Sequence, residues 1–371
     1  MKKFLQAFQK NTMVKRKMRI AQIASSAHPV SARQNKAIYA HTGQLVDGFE
    51  NLGHEVTIFG NGASQTLGDL RTSEFVTSEE NRLAVARYEQ WGLISDCYVA
   101  AQKEKFDIIH SHVTVMTGFF SRLEKKIPTL ISIHSPIEDW MKPILLKHKD
   151  EKYISFSLAQ RKLLPQLNWY ANIYHGVDVD LFTFKEVPED YVLFIGRITH
   201  DKGAHIAIGA SLAAGQNIRI AGRTYGTESY WHNSIEPHIN GTTVRYVGEV
   251  SLEEKISLIQ NAKAIIFPTL LQETFGYVLI EAMSCGTPVI AFPNGSVPEI
   301  IKDGKTGFLV STEEEMAAAI AKIHTIDRKE VRKRAEQLFS LKKMIRHYDS
   351  VYQRAIQENN FKKKKTSESA A

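Results

Sequence analysis

The chain has 371 residues, 43% of them hydrophobic and 23% charged, which suits a soluble globular protein large enough for two domains. No apolar run approaches the roughly 18 residues that span a bilayer. The only cysteines, Cys97 and Cys285, leave no room for a disulfide framework or a thiolate zinc cluster. The net charge of +7 sits at the ends: residues 1–19 carry +7 and residues 361–371 carry +3, leaving residues 20–360 at −3. That distribution argues against a nucleic-acid face, and the cysteine usage fits a reducing, cytoplasmic setting.

Residues 1–17 form a basic extension in which Met1, Phe4, Leu5 and Phe8 share one helical face. That spacing fits either a contact with an anionic membrane, peripheral at its inner face, or a solvated leader to the first strand. The extension lacks the apolar core and cleavage site of a secretory signal. From residue 18, short apolar strands alternate with helical stretches, the pattern of parallel sheets with crossover helices. Residues 19–24 read as a strand, 38–52 as a helix closed by Gly53, and 54–59 as the second strand. Residues 61–80 read as an irregular polar loop, and 106–110 and 129–134 as further strands. Residues 18–181 thus form one doubly wound domain, and 182–190, with Pro188, a linker. Residues 190–339 form a second such domain, with strands at 191–196, 218–222, 244–248, 264–268, 288–292 and 308–310. A helix occupies 340–360, and a Lys-rich tail, expected to be disordered, occupies 361–371. Ligands are expected where the carboxyl ends of the two sheets face each other.

Two segments carry the chemistry. In Gly196-Arg197-Ile-Thr-His-Asp-Lys202-Gly203, a strand end and a helix start bring two cations toward one place, where a helix N-terminus also favours an anion. The alternative is a turn that happens to be basic. In the stretch from Ile265 to Pro288, a strand breaks at Pro268 and a helix runs over about 275–284. Glu273 precedes that helix and Glu281 lies two turns along it. Two carboxylates suit the paired hydroxyls of a sugar and a ribose, and Gly276 leaves backbone open to a ligand. Capping and a solvated helix face are the structural alternatives, the second disfavoured by the flanking Ile280 and Ala282.

Arg197 with Lys202, followed by Glu273-x7-Glu281-Ala-Met-Ser-Cys-Gly-Thr-Pro288, resembles the retaining glycosyltransferases of family 4, which have the GT-B fold. His175-Gly-Val-Asp178, Gly295-Ser-Val-Pro-Glu299, Gly304-x-Thr-Gly307-Phe-Leu-Val310, Leu52-Gly-His-Glu-Val56 and Asp107-Ile-Ile-His110-Ser-His112 extend the similarity along most of the chain. The resemblance implies two Rossmann-like domains, an acceptor domain before a donor domain, and a hexosyltransferase that uses a nucleoside-diphosphate sugar without a metal. UDP-glucose is the first expected donor and GDP-mannose the second. Arg197 and Lys202 would hold the diphosphate, and Glu273 with amides near Phe275 and Gly276 the sugar. Glu281 would bind the ribose, and His134 would lie near the sugar and acceptor. The base is expected near the Tyr246-Val-Gly248 loop. No motif specifies an acceptor, which leaves a glycan, a lipid or a small molecule.

One departure stands out. Lys36-Ala37 occupies the place where the family has a glycine pair, so Lys36 would supply charge where the family uses bare backbone, or the activity would differ. A UDP-sugar 2-epimerase with this architecture and a catalytically degenerate scaffold are the competing readings. Asp178-Val-Asp180 reads as a structural turn rather than a metal site. His110 and His112 suit core positions or the cleft alike, and Trp91, Trp140, Trp169 and Trp231 are expected mostly in cores.

Overall fold

The computed structural model describes residues 16–73, 82–224 and 228–368. The helical spacing of Met1, Phe4, Leu5 and Phe8 lies outside the described residues. In chain order the first half contains β1 (Arg19–Ile23), α1 (Ala37–Asn51), β2 (Glu55–Phe59), β3 (Asp69–Arg71), α2 (Arg82–Lys103), β4 (Ile108–Ser111), α3 (Thr114–Phe120), β5 (Thr129–Ser132), α4 (Met141–Lys147), β6 (Lys152–Ser155), α5 (Leu158–Lys162) and β7 (Trp169–Asn172). The second half continues with β8 (Val192–Ile195), α6 (Ala204–Ala213), β9 (Ile218–Ala221), α7 (Glu228–Ser234), β10 (Val244–Gly248), α8 (Leu252–Asn261), β11 (Ile265–Phe267), α9 (Tyr277–Ser284), β12 (Val289–Ala291), α10 (Val297–Ile300), β13 (Gly307–Leu309), α11 (Glu313–Ala321), α12 (Arg328–Phe339) and α13 (Leu341–Glu368).

These strands form two sheets, ordered β3-β2-β1-β4-β5-β6-β7 and β10-β9-β8-β11-β12-β13, and every strand pairing is parallel. Helices cover both faces, which is why the central strands read as continuous apolar runs. Strand order reverses between β1 and β4 in the first sheet and between β8 and β11 in the second. Crossover helices diverge at such points and leave a crevice at the carboxyl edge. That is where Ser111-His112, Gly196-Arg197 and Pro268 sit. Two sheets with helices on both faces give the GT-B architecture expected from the sequence.

The polar stretch 61–80 contains β3. This is an edge strand with one apolar residue, Leu70, paired to β2 from Thr57 to Phe59. An edge strand needs no apolar alternation, so its sequence looks like a loop. β6, β7 and the long α2 also go beyond the strands and helix read from the first half.

The last helix returns to the first domain. Tyr348 and Tyr352 on α13 are fully buried in the core that holds Leu45, Val46 and Phe49 of α1. Gly176 permits this return, because a Cβ there would meet the Leu341 Cα and the Met344 Cβ, each at 2.8 Å. α13 continues to Glu368, so residues 361–368, expected as disordered tail, extend the helix. A run of lysines holds a helix readily when an anchored segment precedes it.

Candidate functional site

The carboxyl end of β8 delivers Gly196 and Arg197, and a single 3₁₀ turn, His200–Lys202, leads into α6. Gly203 joins turn to helix with φ 75°, and a Cβ there would strike the Pro268 carbonyl oxygen at 2.4 Å. Glycine thus lets the Lys202 turn pack on the end of β11. Lys202 Nζ lies 2.6 Å from Glu273 Oε2, with both side chains 17% exposed. The Glu273 backbone is fixed in turn, its carbonyl accepting from the Ser296 amide at 3.0 Å. The Thr274 and Ser296 hydroxyls nearby are buried without a protein partner.

Glu281 is buried on α9 and pairs with the equally buried Lys255 of α8, Nζ to Oε1 at 2.6 Å. This excludes the solvated-face alternative for Glu281. Arg197, Lys255 and Glu281 line one cavity of about 340 Å³, together with Lys36 and Ala37 from the first domain. Lys202, Glu273 and Gly276 line a neighbouring cavity of about 170 Å³, and both are bounded by Ile195, Gly196, Tyr277 and Val278. The two cations and two glutamates singled out in the sequence therefore surround one cleft, within the volume range of small-molecule sites. A larger cavity of about 650 Å³, lined by Glu186, Pro188, Lys263, His324 and Lys329, gathers none of them.

Hydrogen bonds of Tyr277, Asn35 and Glu299 bridge the halves around this cleft. The Tyr277 hydroxyl lies 2.7 Å from the Gly176 carbonyl oxygen and 2.9 Å from Gln44 Oε1. Asn35 Nδ2 donates to the Val250 carbonyl at 2.8 Å. Glu299 accepts from the Leu158 and Ala159 amides at 2.9 and 2.7 Å and from the Tyr174 hydroxyl at 2.9 Å.

The first domain lines the cleft with Gln34, Asn35, Lys36 and Ala37 and gathers buried imidazoles behind it, the His175 ring lying 5.3 Å from that of Tyr277. Because parallel strands end on one edge, His112, His134 and His175, which follow β4, β5 and β7, come together, and His41 joins them from α1. His112 Nδ1 lies 2.8 Å from His134 Nε2 and its Nε2 lies 2.9 Å from Gln22 Oε1. Gln22 donates its amide to the Tyr352 hydroxyl at 3.0 Å. His112 therefore donates to Gln22 and accepts from His134, leaving His134 Nδ1 as an acceptor. His41 and His175 meet Nδ1 to Nδ1 at 3.0 Å. Burial lowers the pKa of His41, His110 and His134, with neighbouring imidazoles adding to the effect, and takes His112 and His175 to about 3. All five are neutral at pH 7.

Other expected residues fall differently. Phe275 is core, packed against Tyr174, His175 and Phe339. Tyr246 bonds the Gly222 carbonyl at 2.9 Å and packs edge-on against Trp231. Neither Tyr246 nor Gly248 lines the cavities, whereas Glu249 and Val250 just beyond them do. His110 is a satisfied core residue between Ser132 and Tyr352. Trp91 and Trp140 are exposed rather than in the core, because each sits on the outer side of a helix or turn. Asp178 accepts from the Asp180 amide at 3.1 Å, a local turn. Lys255, Tyr277, Gln22 and His41 were not singled out from the sequence. Lys255 left a signal, since it interrupts the apolar stripe Leu252, Ile256 and Ile259 of α8.

Residues 40–181 match the family described as Glycosyltransferase Family 4, and residues 182–338 match Glycosyl transferases group 1. An uncharacterized glycosyltransferase of Methanocaldococcus jannaschii is 25% identical over 253 residues, 62% of this chain and 69% of its own length. A glycogen synthase of Mycobacterium tuberculosis is 30% identical over 142 residues, 37% of this chain and about a third (34%) of the synthase. Among solved structures, HepE of Anabaena in complex with UDP and glucose superposes with a TM-score of 0.70 at 18% identity, covering 90% of this chain and 98% of HepE. With adjoining family matches over both domains and the GT-B arrangement around a shared cleft, the chain belongs to the family 4 glycosyltransferases.

Proposed function

We propose that this enzyme transfers a hexose, with retention of anomeric configuration, from a nucleoside-diphosphate sugar to an acceptor hydroxyl. The observation that carries the reading is the convergence of Arg197, Lys202, Glu273 and Glu281 on one interdomain cleft, with Lys36 facing them from the opposite domain. As the C1–O bond to the diphosphate breaks, negative charge builds on the leaving phosphate. Arg197 and Lys202 stabilise that charge in a partly dry site, the task a divalent cation performs elsewhere. Glu273, steadied by Lys202, accepts from sugar hydroxyls. Glu281 keeps Oε2 for a ribose hydroxyl while Lys255 holds Oε1. His134 presents Nδ1 on the acceptor side. The acceptor oxygen forms the new bond to C1, and its proton passes to the departing phosphate on the same face.

UDP-glucose is the first donor to test, supported by the ligands of the Anabaena relative, and GDP-mannose the second. Incubating the protein with each donor and following nucleotide release and product anomer by NMR tests the reading. Release of UDP or GDP with an α-configured product is expected. An isomerised sugar without release would point to a 2-epimerase. Absence of both binding and turnover across the donor panel would point to a degenerate scaffold.

A further inference from the structure

A second charged region lies at the opposite edge of the first domain. All strands of that sheet run parallel, so their amino ends share one edge, away from the cleft. The basic segment at Arg16–Lys17 enters there, Arg16 pairing with Asp107 at 2.8 Å and Lys17 with Glu55 at 2.7 Å. The loop before β5 brings Arg122, Lys125 and Lys126, and the end of α4 with the turn after it brings Lys147 and Lys149, to the same edge. α13 delivers its lysine run to it as well. Asn359 Nδ2 donates to the Lys126 carbonyl at 2.8 Å. Lys362 lies near enough to Lys152 to help burial lower that ammonium's pKa. Basic residues that are far apart in sequence thus collect at one pole of a body whose residues 20–360 sum to −3. Glu124 accepts from the Lys126 amide, Glu55 and Asp107 are held in the pairs above, and Glu151 lies among Lys152, Arg122 and Lys125, while Asp150 adds one exposed carboxylate beside Lys149.

Apolar side chains rim this pole. Leu123 is 76% exposed, Phe119 and Trp91 are each 41% exposed, and Leu146 precedes Lys147 at 37%. Trp91, midway along α2, stacks on Phe119 at 6.2 Å, and Phe119 meets His148 edge-on at 4.9 Å. Arg122 and Lys147 face the same imidazole. Exposed aromatic and aliphatic tips beside a dense cationic field suit an interface with an apolar layer beneath a negative one.

We propose that this pole, centred on Leu123, Lys125, Lys126 and the end of α13, docks the enzyme on the surface of an anionic lipid bilayer. No helix among the described residues is long and apolar enough to cross one, so the contact lies on the surface. A lipid surface fits better than nucleic acid, because exposed apolar side chains, Phe119, Leu123 and Leu146, stand among the cations at the ends of α3 and α4. Docked in this way, the protein turns its cleft toward water.

Co-sedimentation of the full chain with vesicles tests the proposal. Vesicles of phosphatidylcholine containing phosphatidylglycerol should bind the protein and those of phosphatidylcholine alone should not, with binding weakened by salt. Each basic charge removed should weaken binding by roughly fivefold, so the Lys125→Glu, Lys126→Glu double variant should lose more than about twentyfold. Leu123→Asn should weaken binding several-fold without changing its salt dependence. Nucleotide release from the donor should stay at the wild-type rate in both variants. Failure of the wild type to sediment with the anionic vesicles would overturn the proposal. So would binding indifferent to both variants, or capture on heparin or RNA with none on vesicles.

Discussion

The two walls of the cleft solve the problem of polar groups in a closed site in opposite ways. The second domain uses full charges in pairs, Lys202 with Glu273 and Lys255 with Glu281. The first, apart from Lys36 at the cleft surface, backs its side with buried neutral imidazoles linked through Gln22 and Tyr352. A paired ion can hand its hydrogen bonds to an incoming diphosphate or ribose, which suits a donor that carries charge. A network of neutral donors and acceptors satisfies buried polar groups without adding charge. The charge-bearing wall is therefore sensitive to mutation of single residues, and the neutral wall to proton concentration.

Acid should break the comparison most strongly. Burial holds the five histidines below their unfolded pKa of about 6.5, His112 and His175 at about 3. The unfolded chain then binds protons that the folded chain refuses. Stability is complete above about pH 6.5 and is lost as pH falls toward about 3. Each histidine contributes at most about 1.4 kcal/mol per pH unit, and five together approach the ~5–15 kcal/mol stability of a domain within about two units. Circular dichroism and limited proteolysis on lowering pH should find the first domain opening before the second. The reverse order would remove the distinction between the walls.

Lys255→Met should come next. It leaves the Glu281 carboxylate buried without a partner and should cost about 3–5 kcal/mol in urea unfolding. Adding Glu281→Gln should restore most of that stability but not nucleotide affinity. Arg197→Ala or Lys202→Ala should reduce turnover by about 10²-fold or more, roughly 2.7 kcal/mol, with little change in melting temperature. Tyr352→Phe should have the smallest effect. It removes the hydroxyl shared by Gln22 and His110 and should cost about 1 kcal/mol in stability.

The charge-bearing wall was the legible one. Arg197, Lys202, Glu273 and Glu281 lie in two short segments, each tied to a strand end or helix start that apolar periodicity locates. The fold was legible for a related reason, since buried parallel strands read as apolar runs in both halves. The neutral wall was not, because Gln22, His41, His112, His134 and His175 come from five segments and meet only through the strand order of the first sheet. β3 and Lys255 escaped on opposite grounds: an edge strand needs little apolar character, and a buried lysine is read as solvated unless its helical register is followed. Gly176 is explained only by the return of α13, which no local pattern announces.

Calorimetric titration of UDP and GDP into the wild type, Arg197→Ala and Glu281→Gln tests the shared cleft most directly. At least one nucleotide should bind the wild type, and each substitution should raise its Kd by about tenfold or more, since each removes a charged hydrogen-bonding partner. Equal affinity in all three proteins would mean that these side chains do not surround the nucleotide.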